Sequence, residues 1–275
     1  MAPMLAPAKI NLSLHVTGKR SDGYHLLDSL VVFADVGDQI DVQPADNISL
    51  RIAGPEAGGL EAEADNLVLR AARLMQNKGQ GAAITLTKNL PVSSGIGGGS
   101  SDAATTISAL AGLWECSLPR PEDVVGLGAD VPVCLAQRPA RMTGIGEGVE
   151  PVADLPDMAV VLVNPRVSVS TPAVFAALER RENSAMDYVP SGMGYSAFCE
   201  WLAAQRNDLE APACSLVPEI NDVLAALEGA DFARMSGSGA TCFGLFETLE
   251  QASAAAQSIS AAKPDWWVKA ARVLP

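Results

Sequence analysis

Four glycines stand within five positions, Gly95, Gly97, Gly98 and Gly99, and Ser100 and Ser101 follow at once. A backbone free of Cβ atoms approaches a bulky anion closely and turns several N–H groups toward it. A helix beginning near Ser101 would add the positive end of its dipole. The strand-like Ile84–Thr87 enters this turn through Pro91, and Asp102-Ala103-Ala104 opens a helical pattern behind it. The layout predicts a phosphate cradle over Pro91 to Ser101, including Ile96, and hence a phosphorylated ligand. Taken alone, a Gly/Ser cluster also reads as a linker or surface turn; its place between ordered elements selects the binding loop.

Two familiar cradles do not fit. The loop G-x-x-x-x-G-K-[ST] needs a lysine after its last glycine, and Gly99 is followed by Ser100. Counted from Gly95, the dinucleotide pattern G-x-G-x-x-G places Ser100 where its third glycine must stand.

The elements that must position such a loop are partly legible. Ile10, Leu12, Leu14 and Val16 alternate with Lys9, Asn11, Ser13 and His15, which predicts one half-buried strand with a lysine and an asparagine on its polar face. His15 lies six residues from Lys9, about 20 Å along an extended chain, and is expected to be structural. Further strand is expected over 25–41 with a break at Gly37-Asp38. A helix capped by Asp65-Asn66 precedes the loop, and Ala103 to Trp114 forms a helix after it. Beyond a boundary near Asp154-Leu155-Pro156-Asp157, the pattern predicts a strand at 158–164, helices at 172–181, 196–205, 219–227 and 249–262, and strands at 241–246 and 267–273. An irregular polar connection spans 182–194, and a second glycine-rich turn spans 234–240. The expected class is α+β with two domains, 1–154 and 155–275.

Composition narrows the partners. The 275 residues carry 19 Lys and Arg against 32 Asp and Glu, a net charge of −13. That balance disfavours nucleic acid or an anionic membrane as the main partner, so phosphate must be held locally by loop amides and a few cations. Cys116, Cys134, Cys199, Cys214 and Cys242 show no C-x-x-C spacing, which predicts neither a zinc site nor a disulfide framework. With no signal-like N-terminus and no membrane-length apolar run, a reducing cytoplasm is the expected compartment.

Several motifs together carry a resemblance. Pro7-Ala8-Lys9-Ile10-Asn11-Leu12, Asp22-Gly23-Tyr24-His25, the segment 91–104, Gly128-Ala129-Asp130-Val131-Pro132, Gly144-Ile145-Gly146-Glu147 and Ser236 to Phe243 occur in an order similar to that of the GHMP small-molecule kinases, across essentially the whole chain. The resemblance implies a two-domain GHMP fold, with an N-terminal domain like domain 2 of ribosomal protein S5 and a ferredoxin-like C-terminal domain. It further implies the branch that phosphorylates the 2-hydroxyl of a cytidine diphosphate sugar alcohol with ATP, in the non-mevalonate isoprenoid precursor route. Mg2+ is the expected companion of ATP, with its protein ligands unassigned.

Residue by residue, Asp130 matches the catalytic aspartate and Lys9 the catalytic lysine. Phosphoryl transfer needs alignment, charge stabilisation and a base for the alcohol proton, which a carboxylate and an ammonium supply. Asn11 is a candidate substrate contact. Tyr24, His25 and Phe175 match positions that sandwich a pyrimidine and read its edge, with Phe33 and Thr171 nearby; a flat π-face and a polar edge suit aromatic rings beside an imidazole. Asn66 and Lys88 match positions near adenosine, and Gly237 and Gly239 form a second loop expected to close the cleft. Singly, Asp130 reads as a turn or cap residue, Lys9 as a surface lysine, Phe175 as helix core and Gly237 to Gly239 as a tight interdomain turn.

Departures from the family pattern are Val92-Ser93-Ser94 before Gly95, a short segment between Pro121 and Gly128, and the stretch 182–194, which has no counterpart. Two other readings remain at this level. A homoserine- or mevalonate-type kinase would share the 91–104 loop but has no reason to keep Tyr24, His25 and Phe175 together. A catalytically silent nucleotide-binding module has no use for both Lys9 and Asp130.

Overall fold

A computed structural model describes residues 2–60, 62, 63, 65–76 and 80–275. In chain order the first half contains β1 (Met4–Asn11), β2 (His15–Lys19), β3 (His25–Pro44), β4 (Ser49–Ala53), α1 (Leu67–Met75), β5 (Ala82–Thr87), α2 (Gly98–Trp114), α3 (Pro121–Val124), α4 (Val131–Ala136), β6 (Ala140–Gly144) and β7 (Gly148–Pro151). The second half contains β8 (Ala159–Asn164), α5 (Thr171–Ala176), α6 (Tyr195–Ala203), α7 (Glu210–Leu216), α8 (Glu219–Ala226), β9 (Phe232–Met235), β10 (Cys242–Phe246), α9 (Leu249–Ala262) and β11 (Trp267–Arg272). The strands form a seven-stranded sheet from the first half and a four-stranded sheet, ordered β11-β8-β10-β9, from the second. The α+β class and the two-part architecture follow.

β3 is the spine of the large sheet. It pairs antiparallel with β1, β2, β5 and β6, and β4 joins through a parallel pairing with β5. Its central run, Leu30 to Ala34, is apolar at every position because both faces are covered. Val31 and Phe33 enter a core shared with Ile107 and Leu110 of α2, whereas Leu30, Val32 and Ala34 enter a second core with Ile10, Phe198 and Phe243. One strand thereby packs against both halves.

Several expectations change. The alternating stretch 10–16 is two strands, because Leu14 turns aside to exchange hydrogen bonds with Arg206 and Asp208 of the second half. Its polar face is not solvated: Lys9, Asn11, Ser13 and His15 are all buried. Gly37-Asp38 is no break, since β3 runs through to Pro44. The pairing jumps from Ala8–Ala34 to Pro7–Gly37, leaving Asp35 and Val36 as a bulge. Helix α2 starts at Gly98, so the last four loop positions, Gly98 to Ser101, belong to its first turn. The helix expected over 172–181 stops at Ala176, and α7 is a helix beyond those the pattern predicts. The stretch 182–194 is irregular, yet Met186 and Val189 are buried, and the Met186 N–H donates to Asp28, which also takes two bonds from Arg141. α9 is stopped at its start by a capping box between Thr248 and Gln251.

Candidate active site

The glycine turn delivers three open amides. Gly97 is the N-cap of α2 in the left-handed region, at φ 64°, and offers no side-chain cap. Ser101 N–H is the first to bond back, to the Gly97 carbonyl, so the amides of Gly98, Gly99 and Ser100 have no intrahelical acceptor. They open on a cleft of about 800 Å3 lined by Lys9, Asn66, Pro91, Gly95, Gly97, Ser100 and Asp130 among others. Gly97 must be glycine twice over. Its φ strains any L side chain, and a Cβ there would stand 2.9 Å from the Lys9 Cβ. Ser101 faces away: its hydroxyl donates to the Pro7 carbonyl at 2.7 Å and ties α2 to β1. Ile96 is fully buried in the second core, and its carbonyl accepts the Lys9 N–H at 3.0 Å.

Lys9 and Asp130 meet across 121 residues of sequence. Lys9 Nζ lies 3.0 Å from Asp130 Oδ2 and donates to Asn11 Oδ1 at 2.7 Å. Asp130 sits at the N-cap of α4 but makes no capping bond, so its carboxylate, 30% exposed, is left for the cleft. The short route that brings it there is a 3₁₀ turn, Val125–Leu127, closed by Gly128 N–H to the Val125 carbonyl and followed by Val131 N–H to the Gly128 carbonyl.

The second glycine turn docks on the first. Ser236 Oγ donates to the Gly95 carbonyl at 3.0 Å and accepts the Asn11 N–H at 3.1 Å, and Thr241 N–H donates to the Ser94 carbonyl. Gly237 and Ser238 line the cleft; Gly239 packs behind them near Met235. Ser238 Oγ lies 2.7 Å from Thr171 Oγ1, joining this turn to the start of α5. Sequence reasoning passed over Ser236 and Ser238, although their alternation with Gly237 and Gly239 was a usable signal.

Along α5 from Thr171, Phe175 stacks on His25 with ring centroids 4.7 Å apart and planes at 21°. That spacing leaves no room for a third ring between them. His25 Nε2 is buried without a hydrogen-bond partner in the protein, an open polar edge beside the stack. Burial first, then Lys19 and Arg181, holds the His25 imidazole below its ordinary pKa. Tyr24 projects at the β2–β3 turn, 59% exposed, and Phe175 and Thr171 line the cleft. Phe33, expected beside the pyrimidine, lies instead inside the first core, fully buried and away from the cleft, because its side of β3 faces α2.

Under the glycine turn lies a buried ionic triad. Lys88 Nζ pairs with Asp38 Oδ2 and, at 3.0 Å, with Asp102 Oδ2. Asp38 Oδ1 also accepts the Asn89 and Leu90 N–H groups, fixing the entry to the loop. Lys88 lines the cleft floor, but its charge is spent on these two carboxylates. Burial pushes the Asp102 carboxyl up to about 8 against the pull of Lys88, and Asp102 Oδ1 has no partner. Burial lowers Lys88, but Asp102 and Asp38 together outweigh it and leave its pKa raised. Asn66 caps α1, its Oδ1 accepting the Val68 N–H at 2.9 Å, and lines the cleft. His15 is structural: its Nε2 accepts the Arg206 backbone N–H, and its Nδ1 faces the Ser184 carbonyl and the Arg206 guanidinium.

Among the described residues no group of three His, Cys, Asp or Glu could hold a metal ion, and no helix is long and apolar enough to cross a membrane.

The model of the GHMP kinases N terminal domain matches residues 66–138, and that of GHMP kinases C terminal matches residues 195–265. The chain is 60% identical over 274 residues to a 4-diphosphocytidyl-2-C-methyl-D-erythritol kinase of Ruegeria pomeroyi, covering 98% of each chain. It is 56% identical over 273 residues to the protein of the same name from Paracoccus denitrificans, covering 98% of this chain and 96% of that one. Among solved structures it resembles a 4-(cytidine 5'-diphospho)-2C-methyl-D-erythritol kinase at TM-score 0.80 and 34% identity over 99% of each chain. A mevalonate kinase from L. major shares the fold at TM-score 0.66 and 16% identity, covering 100% of this chain and 96% of that one.

Proposed function

This chain belongs to the GHMP kinases, and within them to the 4-diphosphocytidyl-2-C-methyl-D-erythritol kinases; from that premise we propose how its cleft works. It transfers the γ-phosphoryl group of ATP to the 2-hydroxyl of 4-diphosphocytidyl-2-C-methyl-D-erythritol, giving the 2-phosphate and ADP, in isoprenoid precursor synthesis. The homoserine- and mevalonate-type readings give way to it, since the likeness to a mevalonate kinase is one of fold alone.

The observation that carries the mechanism is the Lys9–Asp130 pair beside the open amides of α2. The amides of Gly98, Gly99 and Ser100 hold the phosphates, with the helix dipole behind them. Asp130 accepts the proton of the 2-hydroxyl as the bond to phosphorus forms. Lys9 spends two of its three N–H donors on Asn11 and Asp130 and aims the third at the moving phosphoryl group. Gly95 and Gly237 close the walls, and Asn66 meets the adenosine side. Lys88 acts from beneath, holding the loop entry through Asp38. The cytosine does not enter between the two rings: it stacks against Tyr24, where His25 Nε2 reads its edge from the side of the His25–Phe175 pair. Thr171 steadies the wall through Ser238.

Mg2+ is the expected companion of ATP and would neutralise part of the triphosphate charge.

The test is a parallel assay of the purified protein with Mg-ATP and the cytidyl substrate, homoserine or mevalonate, following ADP. ADP formation with the cytidyl compound alone is expected. Turnover of homoserine without the cytidyl compound would refute the reading.

A further inference from the structure

We infer that Ser29 is a positioning residue for the reaction centre: it fixes the amide of Asn11 so that Lys9 is held toward Asp130. The inference rests on the reading of Lys9 and Asp130 given above. Ser29 lies in β3, two residues beyond the Asn11–Val31 pairing with β1, and is fully buried. Its hydroxyl has one proton, and that proton is committed to the Ser13 carbonyl at 2.5 Å. Toward Asn11 the same oxygen therefore only accepts. The Asn11 amide must present its Nδ2 to Ser29, at 2.8 Å, and this turns Oδ1 toward Lys9 Nζ, 2.7 Å away.

The reversed amide would set a donor against the Lys9 ammonium and leave Ser29 facing an oxygen with no proton to share. In a site where Lys9, Asn11, Ser13 and Ser29 are all buried, each such mismatch costs the full desolvation of the groups left unpaired. The Ser13 backbone carbonyl, through one hydroxyl and one amide, thus decides where the lysine points. The Asn11 backbone is held as well, by Ser236 Oγ, so the side chain cannot escape the conflict by sliding along the strand.

The experiment is a double-mutant cycle on the full chain with steady-state kinetics at saturating Mg-ATP and cytidyl substrate. Ser29→Ala is expected to lower kcat about tenfold with both KM values within about twofold, and to change kcat less than about twofold once Asn11 is already Ala. Ser29→Cys keeps the volume but replaces the hydroxyl by a weak hydrogen-bonding thiol, and carries the same expectation if Ser29→Ala folds poorly. An unchanged kcat in the single variants, or an equal loss in the Asn11→Ala background, overturns the inference. A wild-type enzyme inactive on the cytidyl substrate would instead overturn the functional reading. An active wild type silenced by Asp130→Asn but indifferent to Ser29 would leave that reading intact.

Discussion

Lys9 Nζ and Asp130 Oδ2 stand 3.0 Å apart although one residue sits in the first strand and the other at the cap of a short helix in the middle of the chain. Two structural details make the pair available for chemistry. Asp130 is relieved of the capping duty its position would give it, and Lys9 retains a donor beyond those used by Asn11 and Asp130.

Gly97→Ala tests the joint between the loop and Lys9. The substitution forces a Cβ into the left-handed region, costing about 1–2 kcal/mol, and against the Lys9 side chain. A lower melting temperature and a kcat loss larger than the KM change are expected. Wild-type kcat in Gly97→Ala would show that the close approach has no bearing on Lys9.

Phe175→Ala removes one ring of the His25–Phe175 stack, the proposed cytidine contact. Calorimetry is expected to show weaker binding of the cytidyl substrate by about 1–3 kcal/mol, the usual worth of stacking on an aromatic side chain, with ATP affinity nearly unchanged. Tyr24→Ala is expected to act in the same direction. Equal losses for both ligands would contradict the assignment.

Lys88→Met leaves Asp38 and Asp102 buried without their shared cation. Loss of about 3–5 kcal/mol of stability is expected, read by denaturant unfolding, because an uncompensated buried charge remains. A variant as stable as the wild type with weaker ATP binding would move Lys88 from support to direct contact.

Burial holds the His15 imidazole below its ordinary 6.5, partly opposed by its bond to Ser184. The folded state then binds fewer protons than the unfolded one. The contribution of His15 is thus complete above pH about 6.5 and is lost as pH falls below it toward the folded pKa. His25 is shifted the same way and the raised Asp102 acts oppositely, so the variant must be compared with the wild type. Between pH 7.5 and 5.5, His15→Gln is expected to lose less stability than the wild type. Parallel losses would remove His15 from the acid sensitivity.

The glycine turn leading into α2 is legible because glycine crowding is a local property, and so is the strand carrying Lys9 and Asn11. The pairing of residues 9 and 130 entered only through family resemblance, since nothing local in either segment points to the other. The ionic triad escaped notice because Asp38 and Asp102 lie 50 and 14 residues from Lys88 and read as ordinary polar positions. The buried polar face of β1 was missed for a related reason: alternation reveals which residues share a face, not what covers it. α7 contains Pro212, which reads as a breaker yet falls in the first turn of the helix, where a missing N–H costs nothing. Phe33 was placed at the substrate by its neighbours in the motif, whereas the period of β3 sends it to the opposite core.

Single-turnover phosphorylation of the cytidyl substrate by Asp130→Asn, alongside calorimetric binding of both substrates, tests the centre most directly. Turnover is expected to fall by about 10²- to 10⁴-fold, the usual share of a positioned base, while affinities for ATP and the cytidyl compound stay close to those of the wild type. Wild-type turnover with Asn at position 130 would contradict the account.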